Sequence, residues 1–418
     1  NPGRRRRDTI AQRALTSGIL APVLMTLVLV GSPLRGQPSP PQQTTGDDPY
    51  HEFRLQPLEY VGPATEGPDL ASLTEVAIGW FGPSDPDHAL HGDLWVAANL
   101  AVEEANEAGG LHGLPVRLVP RWSENPWGTG VGQVARMVHE DQVWAILGSV
   151  DGPGTHLAEQ VVAKARLSLI SPVSTDESVN LAGVPWMFSL APGDHLWAPL
   201  MARGLLETIG DGCFVLLATT DHDSRLAAQE LLKELAVLER GPALRIDLQP
   251  GGTDLEPSLQ RFEESSSSAA LVIASAPDSA TLVRALRQAG FEGKILGGPQ
   301  LGRRAFLESA GEAAEGVILP LLFDSEGDGC EAESFARTFQ ERTGARPDWA
   351  AAHTYDATRL LIESIRQSSL NRAAIRRALV ELAPWCGVTG IIEWDPTGQN
   401  HRPVTRLATV LRGNVVPD

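Results

Sequence analysis

From Glu75 onward, short apolar runs alternate with amphipathic stretches of helical period, and that alternation restricts the chain to α/β architectures. Val76-Ala-Ile-Gly-Trp-Phe81 reads as a first strand and Asp93–Ala108 as a helix stopped by Gly109-Gly110. Strands over Val116–Trp122, Val143–Gly148 and Ser168–Ser171 follow, separated by helices over Gln133–Glu140 and Pro153–Ala165. A second series places strands at Cys213–Ala218, Ala243–Leu248, Ala269–Ser275, Lys294–Gly297 and Val317–Leu322, with helices at Arg225–Leu238 and Asp278–Ala289. Helices return at Glu331–Thr343, Ala350–Gln367 and Arg372–Leu382. The chain closes with strand patterns at Ile391–Trp394 and Val404–Leu411 around the turn Asp395-Pro-Thr-Gly398. Strand–helix–strand units of this kind build doubly wound parallel sheets, and 418 residues suit two such lobes better than one sheet. Ligands of these sheets lie beyond the carboxyl ends of the strands, so function is sought in the βα turns.

A different kind of segment stands ahead of this pattern. Residues 1–50 carry Arg4, Arg5, Arg6, Arg7, Arg13 and Arg35, and the apolar run Ile19–Val30 follows the first cluster. Cations followed by about a dozen apolar residues is the order of a secretory leader. The run is shorter than the roughly 20 residues of a membrane span, and Pro22 interrupts it. Residues 1–37 therefore read as a signal peptide, with an uncleaved N-terminal anchor as the alternative, and residues 38–74 as a disordered linker rich in Pro, Gln, Thr and Gly. The chain has 34 Lys plus Arg against 52 Asp plus Glu, a formal charge of −18, which argues against a nucleic-acid partner. The expectation is an exported, periplasmic or otherwise extracytoplasmic protein that meets the membrane only through its N-terminal segment.

The stretch Ile78-Gly-Trp-Phe-Gly-Pro83, then Gly92, then Leu100-Ala-Val-Glu-Glu-Ala-Asn-Glu-Ala-Gly-Gly-Leu-His-Gly113 resembles the opening of the branched-chain amino-acid-binding proteins. These are type I periplasmic solute-binding proteins of ABC transporters. The likeness continues through Ile146-Leu-Gly148, Ser171-Pro172, Leu286-Arg-Gln-Ala-Gly290, Phe339-Gln-Glu-Arg-Thr-Gly344 and Tyr355-Asp-Ala357. It implies two lobes joined by a three-stranded hinge, closing on a ligand between them. Lobe 1 would combine 75–190 with 321–389, and lobe 2 would combine 191–320 with 390–418. It also implies a monomer that captures a small polar solute, such as an amino acid or amide, for ABC permease subunits. A ligand sensor of the same fold, signalling through a separate partner, is the rival reading.

Candidate ligand contacts follow from the turns and from this resemblance. Gly148-Ser-Val-Asp-Gly-Pro-Gly-Thr155 leads from a strand into a helix, whose free N–H groups would favour a carboxylate. The family holds its ligand's carboxylate in this stretch, which makes Asp151, Gly152 and Thr155 candidates, although Asp151 is an awkward neighbour for an anion. In Ser171-Pro-Val-Ser-Thr-Asp176 the corresponding positions are Val173 and Thr175, with Ser174 beside them. His91 stands where the family often has a covering aromatic. In the second lobe the family's aromatics are replaced by Asp221-His-Asp-Ser224 and by Ser275, and Gln300 aligns with the carboxylate that usually pairs with an amino acid's ammonium. An amide cannot neutralise a desolvated ammonium, so either Asp221 or Asp223 takes that role or the ligand is not a standard α-amino acid.

Ten Trp stand against three Tyr. Trp144, Trp186 and Trp394 lie on strand patterns and read as core, whereas Trp122 and Trp127 could wall the cleft or simply pack. Cys330 and Cys386 could pair in an oxidising compartment, with Cys213 buried at the start of its strand; spacing alone does not fix the pairing. No G-x-S-x-G elbow, phosphate loop or H-E-x-x-H is present, so neither catalysis, a cofactor nor a metal site is expected.

Overall fold

A computed structural model describes residues 72–327 and 329–418, which fall within one compact unit. The leader and nearly all of the expected linker lie outside the described residues.

Strands β1 (Val76–Phe81), β2 (Val116–Arg121), β3 (Ile146–Gly148), β4 (Leu169–Ser171) and β5 (Met187–Ser189) form a parallel sheet in the order β2-β1-β3-β4-β5. Strands β6 (Phe214–Thr219), β7 (Leu244–Leu248), β8 (Ala269–Ile273), β9 (Lys294–Gly297) and β10 (Ile318–Pro320) repeat the same winding as β7-β6-β8-β9-β10. Each sheet therefore reverses direction at one place, between β1 and β3 in the first and between β6 and β8 in the second. Helices cover both faces, so the central strands read as unbroken apolar runs: every residue of β1, β6 and β8 is buried.

The chain ends differ from the sequence expectation. The Ile391–Trp394 pattern shrinks to β12 (Gly390–Ile392), which pairs with β11 (Trp385–Gly387) in a separate two-stranded ribbon. β13 (Leu407–Leu411) and β14 (Asn414–Pro417) form a hairpin that joins β10 antiparallel. The second sheet is thus mixed rather than wholly parallel: β13 enters antiparallel to β10, and the tight turn at Arg412-Gly413 sets β14 antiparallel to β13.

Six helices position the site: α1 (Gly92–Glu107), α2 (Gly152–Ala165), α3 (Asp194–Ile209), α4 (His222–Val237), α5 (Ala276–Gln288) and α6 (Trp349–Gln367). Four of them begin with a side-chain cap. Asp151, Asp221, Ser275 and Asp348 accept from the backbone N–H of Gly154, Ser224, Asp278 and Ala351.

Three passages connect the sheets. The chain leaves β5 through Leu190–Gly193 into α3. After β10 it returns to the first sheet's side, where Phe335, Phe339, Ala351 and Tyr355 pack with Ala97, Leu100 and Ala101 of α1. The third passage is pinned by Asp356, fully buried on α6, which accepts from the N–H groups of Val388 and Thr389 and from Thr389 Oγ1 at 2.8, 2.8 and 2.6 Å. A Cys330–Cys386 disulfide ties the loop before residues 332–343 to β11 across a separation of 56 residues. Cys213 is exposed rather than buried, because it stands just before β6 at the rim of the sheet.

Candidate functional site

Both reversal points open onto one cavity of about 290 Å³. Val150 and Asp151 follow β3, Asp221 and Asp223 follow β6, and Ser275 follows β8, so each wall comes from the carboxyl end of a sheet. A larger hollow of about 740 Å³ lies beside Leu321–Glu326 and Arg346–Trp349, away from those strand ends.

Of the residues singled out from sequence, His91, Asp151, Thr175, Asp221, Asp223, Ser275 and Gln300 line this cavity. Gly152, Thr155, Val173 and Ser174 do not, and each has a local reason. The Thr155 hydroxyl is turned into its own helix, donating to Asp151 O at 2.6 Å. Val173 packs in a core cluster that draws residues from both sheets, and Ser174 is buried, its N–H donating to Ser171 Oγ at 3.4 Å. Gly152 sits at the rim, where its N–H donates to Asp223 Oδ2 of the opposite wall at 3.1 Å. Neither Trp122 nor Trp127 walls the cleft: Trp122 packs on Phe81 with ring centroids 5.1 Å apart, and Trp127 is 62% exposed.

Sequence reasoning missed Asp194, Trp197, Asp278 and Arg303, which also line the cavity. Trp197 supplies the apolar wall and donates through Nε1 to Asp194 Oδ1 at 3.0 Å. Arg303 is a lining cation already engaged: Nε lies 2.8 Å from Asp348 Oδ2, Nη2 donates to Leu90 O at 2.6 Å, and the guanidinium stacks over Trp349. The one visible signal for these residues was the pair Asp194 and Trp197, which begins the helix that follows the first passage between sheets.

The electrostatics are set by five carboxylates: Asp151, Asp194, Asp221, Asp223 and Asp278. All five have partners. Asp151 Oδ1 accepts from Gly154 N at 2.7 Å, and Asp194 accepts from Trp197. Asp221 accepts from Ser224 N and from Thr219 Oγ1 at 3.0 and 2.6 Å, and Asp278 from Gly251 N and Ser275 Oγ, each at 2.9 Å. Asp223 differs. Its Oδ2 takes the Gly152 N–H, while its Oδ1 is buried with no hydrogen-bond partner among the described residues. Burial, and then the charge of Asp151, push the Asp223 carboxyl up to about 7. Burial likewise raises Asp151 and pushes Asp194 well up. Burial first, and Arg303 second, push His91 down to about 3, so this imidazole is neutral and offers one donor and one acceptor.

The helix start at Gly152 is therefore no longer open to an anion. The N–H groups of Gly152 and Gly154 are taken by the protein's own carboxylates, and the cavity is lined by an excess of acidic groups, of which Asp223 Oδ1 is a buried oxygen with no partner among the described residues. Such a cavity can neutralise and hydrogen-bond a cationic group, with Trp197, Val272 and Ile273 covering apolar parts.

Known proteins share this fold. A model of the family described as periplasmic binding protein matches residues 75–412. An amino acid binding protein of Pseudomonas aeruginosa is 23% identical over 365 residues, covering 83% of this chain and 93% of that protein. The leucine binding protein LivK of Thermotoga maritima superposes with a TM-score of 0.74 at 22% identity, covering 82% of this chain and 97% of its own. The branched-chain amino acid transporter substrate binding protein LivJ of Streptococcus pneumoniae, solved with isoleucine, gives 0.73 at 21% identity, covering 82% and 100%.

Proposed function

The chain belongs to the periplasmic binding protein family, and on that premise we propose that it captures a small polar solute outside the cytoplasm and presents it to ABC permease subunits. The observation that carries this reading is the cavity between the two reversal points, whose walls come from both sheets. Closure of one sheet's domain on the other would bury the solute and create the shape that a permease recognises. No helix among the described residues is long and apolar enough to cross a membrane.

The solute we propose carries a positive charge, as an ammonium, amidinium or guanidinium group. Asp223 Oδ1 is the acceptor it would meet, with the Asp151 carboxylate nearby. Similar proteins are named for leucine, isoleucine and valine, whose side chains have no cation. A main-chain ammonium alone would serve Asp223, but the carboxylate of such an amino acid would find the α2 N–H groups occupied and Asp151 beside it.

Two measurements test this reading. A thermal-shift panel of diamines, basic amino acids, aliphatic amino acids and amides should single out cationic members, since a ligand at 100 times its dissociation constant adds about 2.7 kcal/mol. Small-angle scattering with the best ligand should show the molecule contracting. A flat panel, or binding without contraction, contradicts capture by closure.

A further inference from the structure

At the cavity's rim, beyond its lining, three side chains from separate segments converge. His156 stands on α2, Asp176 in the loop after β4, and His222 is the first residue of α4 on the second sheet's side. The Nε2 atoms of His156 and His222 lie 3.0 and 2.8 Å from the same oxygen, Asp176 Oδ2, and the three ligand atoms lie within 4.8 Å of one another. We propose that this trio binds one divalent transition-metal ion of the zinc class, which bridges the two lobes beside the solute cavity.

The donor set is the first argument. Two imidazole nitrogens and one carboxylate oxygen are the ligands a borderline-soft divalent ion selects, with a fourth position left for water. His156 and His222 are 23% and 32% exposed, so an ion and its water reach them, while Asp176 is 2% exposed.

The surrounding shell is the second. Asp176 Oδ1 accepts from Ser178 N at 2.8 Å and from Ser178 Oγ at 2.6 Å, which orients the carboxylate and directs Oδ2 at the imidazoles. Glu159 Oε2 lies 3.5 Å from His156 Nδ1, the nitrogen turned away from the trio. A carboxylate beside the far nitrogen favours the tautomer whose Nε2 can ligate, as in metal-bound histidines, and an ion there would take the place of the 2.9 Å contact that His156 Nε2 makes with Ser178 Oγ.

The charge count is the third. Glu159 is 4% exposed and its Oε1 has no hydrogen-bond partner among the described residues, while Asp176 brings a second buried carboxylate. A divalent ion held on the Nε2 lone pairs would bring two positive charges beside these two buried carboxylates.

Linear spacing gives no hint of this set, since 20 residues separate His156 from Asp176 and 46 separate Asp176 from His222. Because His222 comes from the opposite lobe, the ion has its full ligand set only when the lobes are together. Ion binding and closure are therefore linked.

The test uses the full chain stripped of metal with a chelator and titrated with zinc chloride by calorimetry, and with cobalt(II) followed by visible absorption. Wild type should bind one ion saturably, with the intense absorption of four-coordinate cobalt. His156→Gln and His222→Gln should each weaken binding by at least about tenfold while keeping the circular dichroism spectrum of the folded metal-free protein. Absence of saturable binding overturns the proposal. So does binding undiminished in both variants, which would put the ion on other surface histidines such as His139 or His401. Solute binding measured in excess chelator reports on the cavity alone, so failure of the metal site is distinguishable from failure of the transport reading.

Discussion

Asp223 Oδ2 of one lobe accepts a hydrogen bond from Gly152 N of the other at 3.1 Å, so the start of one lobe's helix is capped by the other lobe's carboxylate. This contact joins the closing motion to the charge that a solute would meet. Asp223→Asn keeps the shape and removes the charge. It should weaken a cationic solute by about 2 kcal/mol or more, roughly 30-fold, as truncation of a desolvated charge partner does. Calorimetric titration checks this, and an unchanged affinity would place the solute's cation elsewhere.

Gly152 leaves no room for a side chain. A Cβ there would lie 2.2 Å from Asp223 Oδ1 and 3.2 Å from Asp176 Oδ2, both across the seam or at its edge. Gly152→Ala should hold the lobes apart while leaving each lobe's core intact. Scattering should then show a molecule that stays extended with solute present, and a normal contraction would refute the steric argument.

Arg303 and Asp348 form a second tie on the far side of the cleft, with side chains only 4% and 3% exposed. Burial opposes the Asp348 charge, but Arg303 and the N–H groups of Ala351 and Arg304 outweigh it and hold this carboxyl below its usual range. Removing either partner, by Arg303→Met or Asp348→Asn, should cost about 3–5 kcal/mol in urea unfolding, because an unpaired buried charge remains. The double variant should cost less than the sum of the two.

His353 predicts an acid-side loss of stability. It is buried on α6, its Nδ1–H donates to Trp349 O at 2.7 Å, and burial pushes it down to about 4. The unfolded chain, with its imidazole near 6.5, takes up the proton first. The stability secured by the neutral ring is therefore complete above about pH 6.5 and drains as pH falls toward 4. Asp356, raised to about 6 by burial, works in the opposite sense, losing stability as pH rises from about 4 to 6. His353→Asn should shrink the loss between about pH 7.5 and 5 by roughly 2 kcal/mol in urea midpoints, and an unaltered pH slope would contradict the assignment.

The strands were readable because helices cover both faces of each sheet, which demands unbroken apolar runs such as those of β1 and β6. The polar turns were readable because a helix starting after such a strand needs a cap, and Asp151, Asp221 and Ser275 are those caps. Side-chain direction was not. Thr155 looks like a ligand hydroxyl in sequence, yet in the helix its nearest acceptor is the Asp151 carbonyl one turn back. Asp194 and Arg303 reach the cavity only because the chain passes between the sheets, and no local period records where a passage leads. The same limit hid His156, Asp176 and His222, whose meeting depends on two lobes coming together.

The sign of the solute's charge tests the account most directly. Calorimetric titration of the chain with a basic amino acid or a diamine, beside leucine under the same conditions, should show the cationic solute binding at least about 100-fold more tightly, a difference of about 2.7 kcal/mol. Tighter binding of leucine than of every cationic solute would contradict it, and would mean that Asp223 and Asp151 do not face the bound molecule.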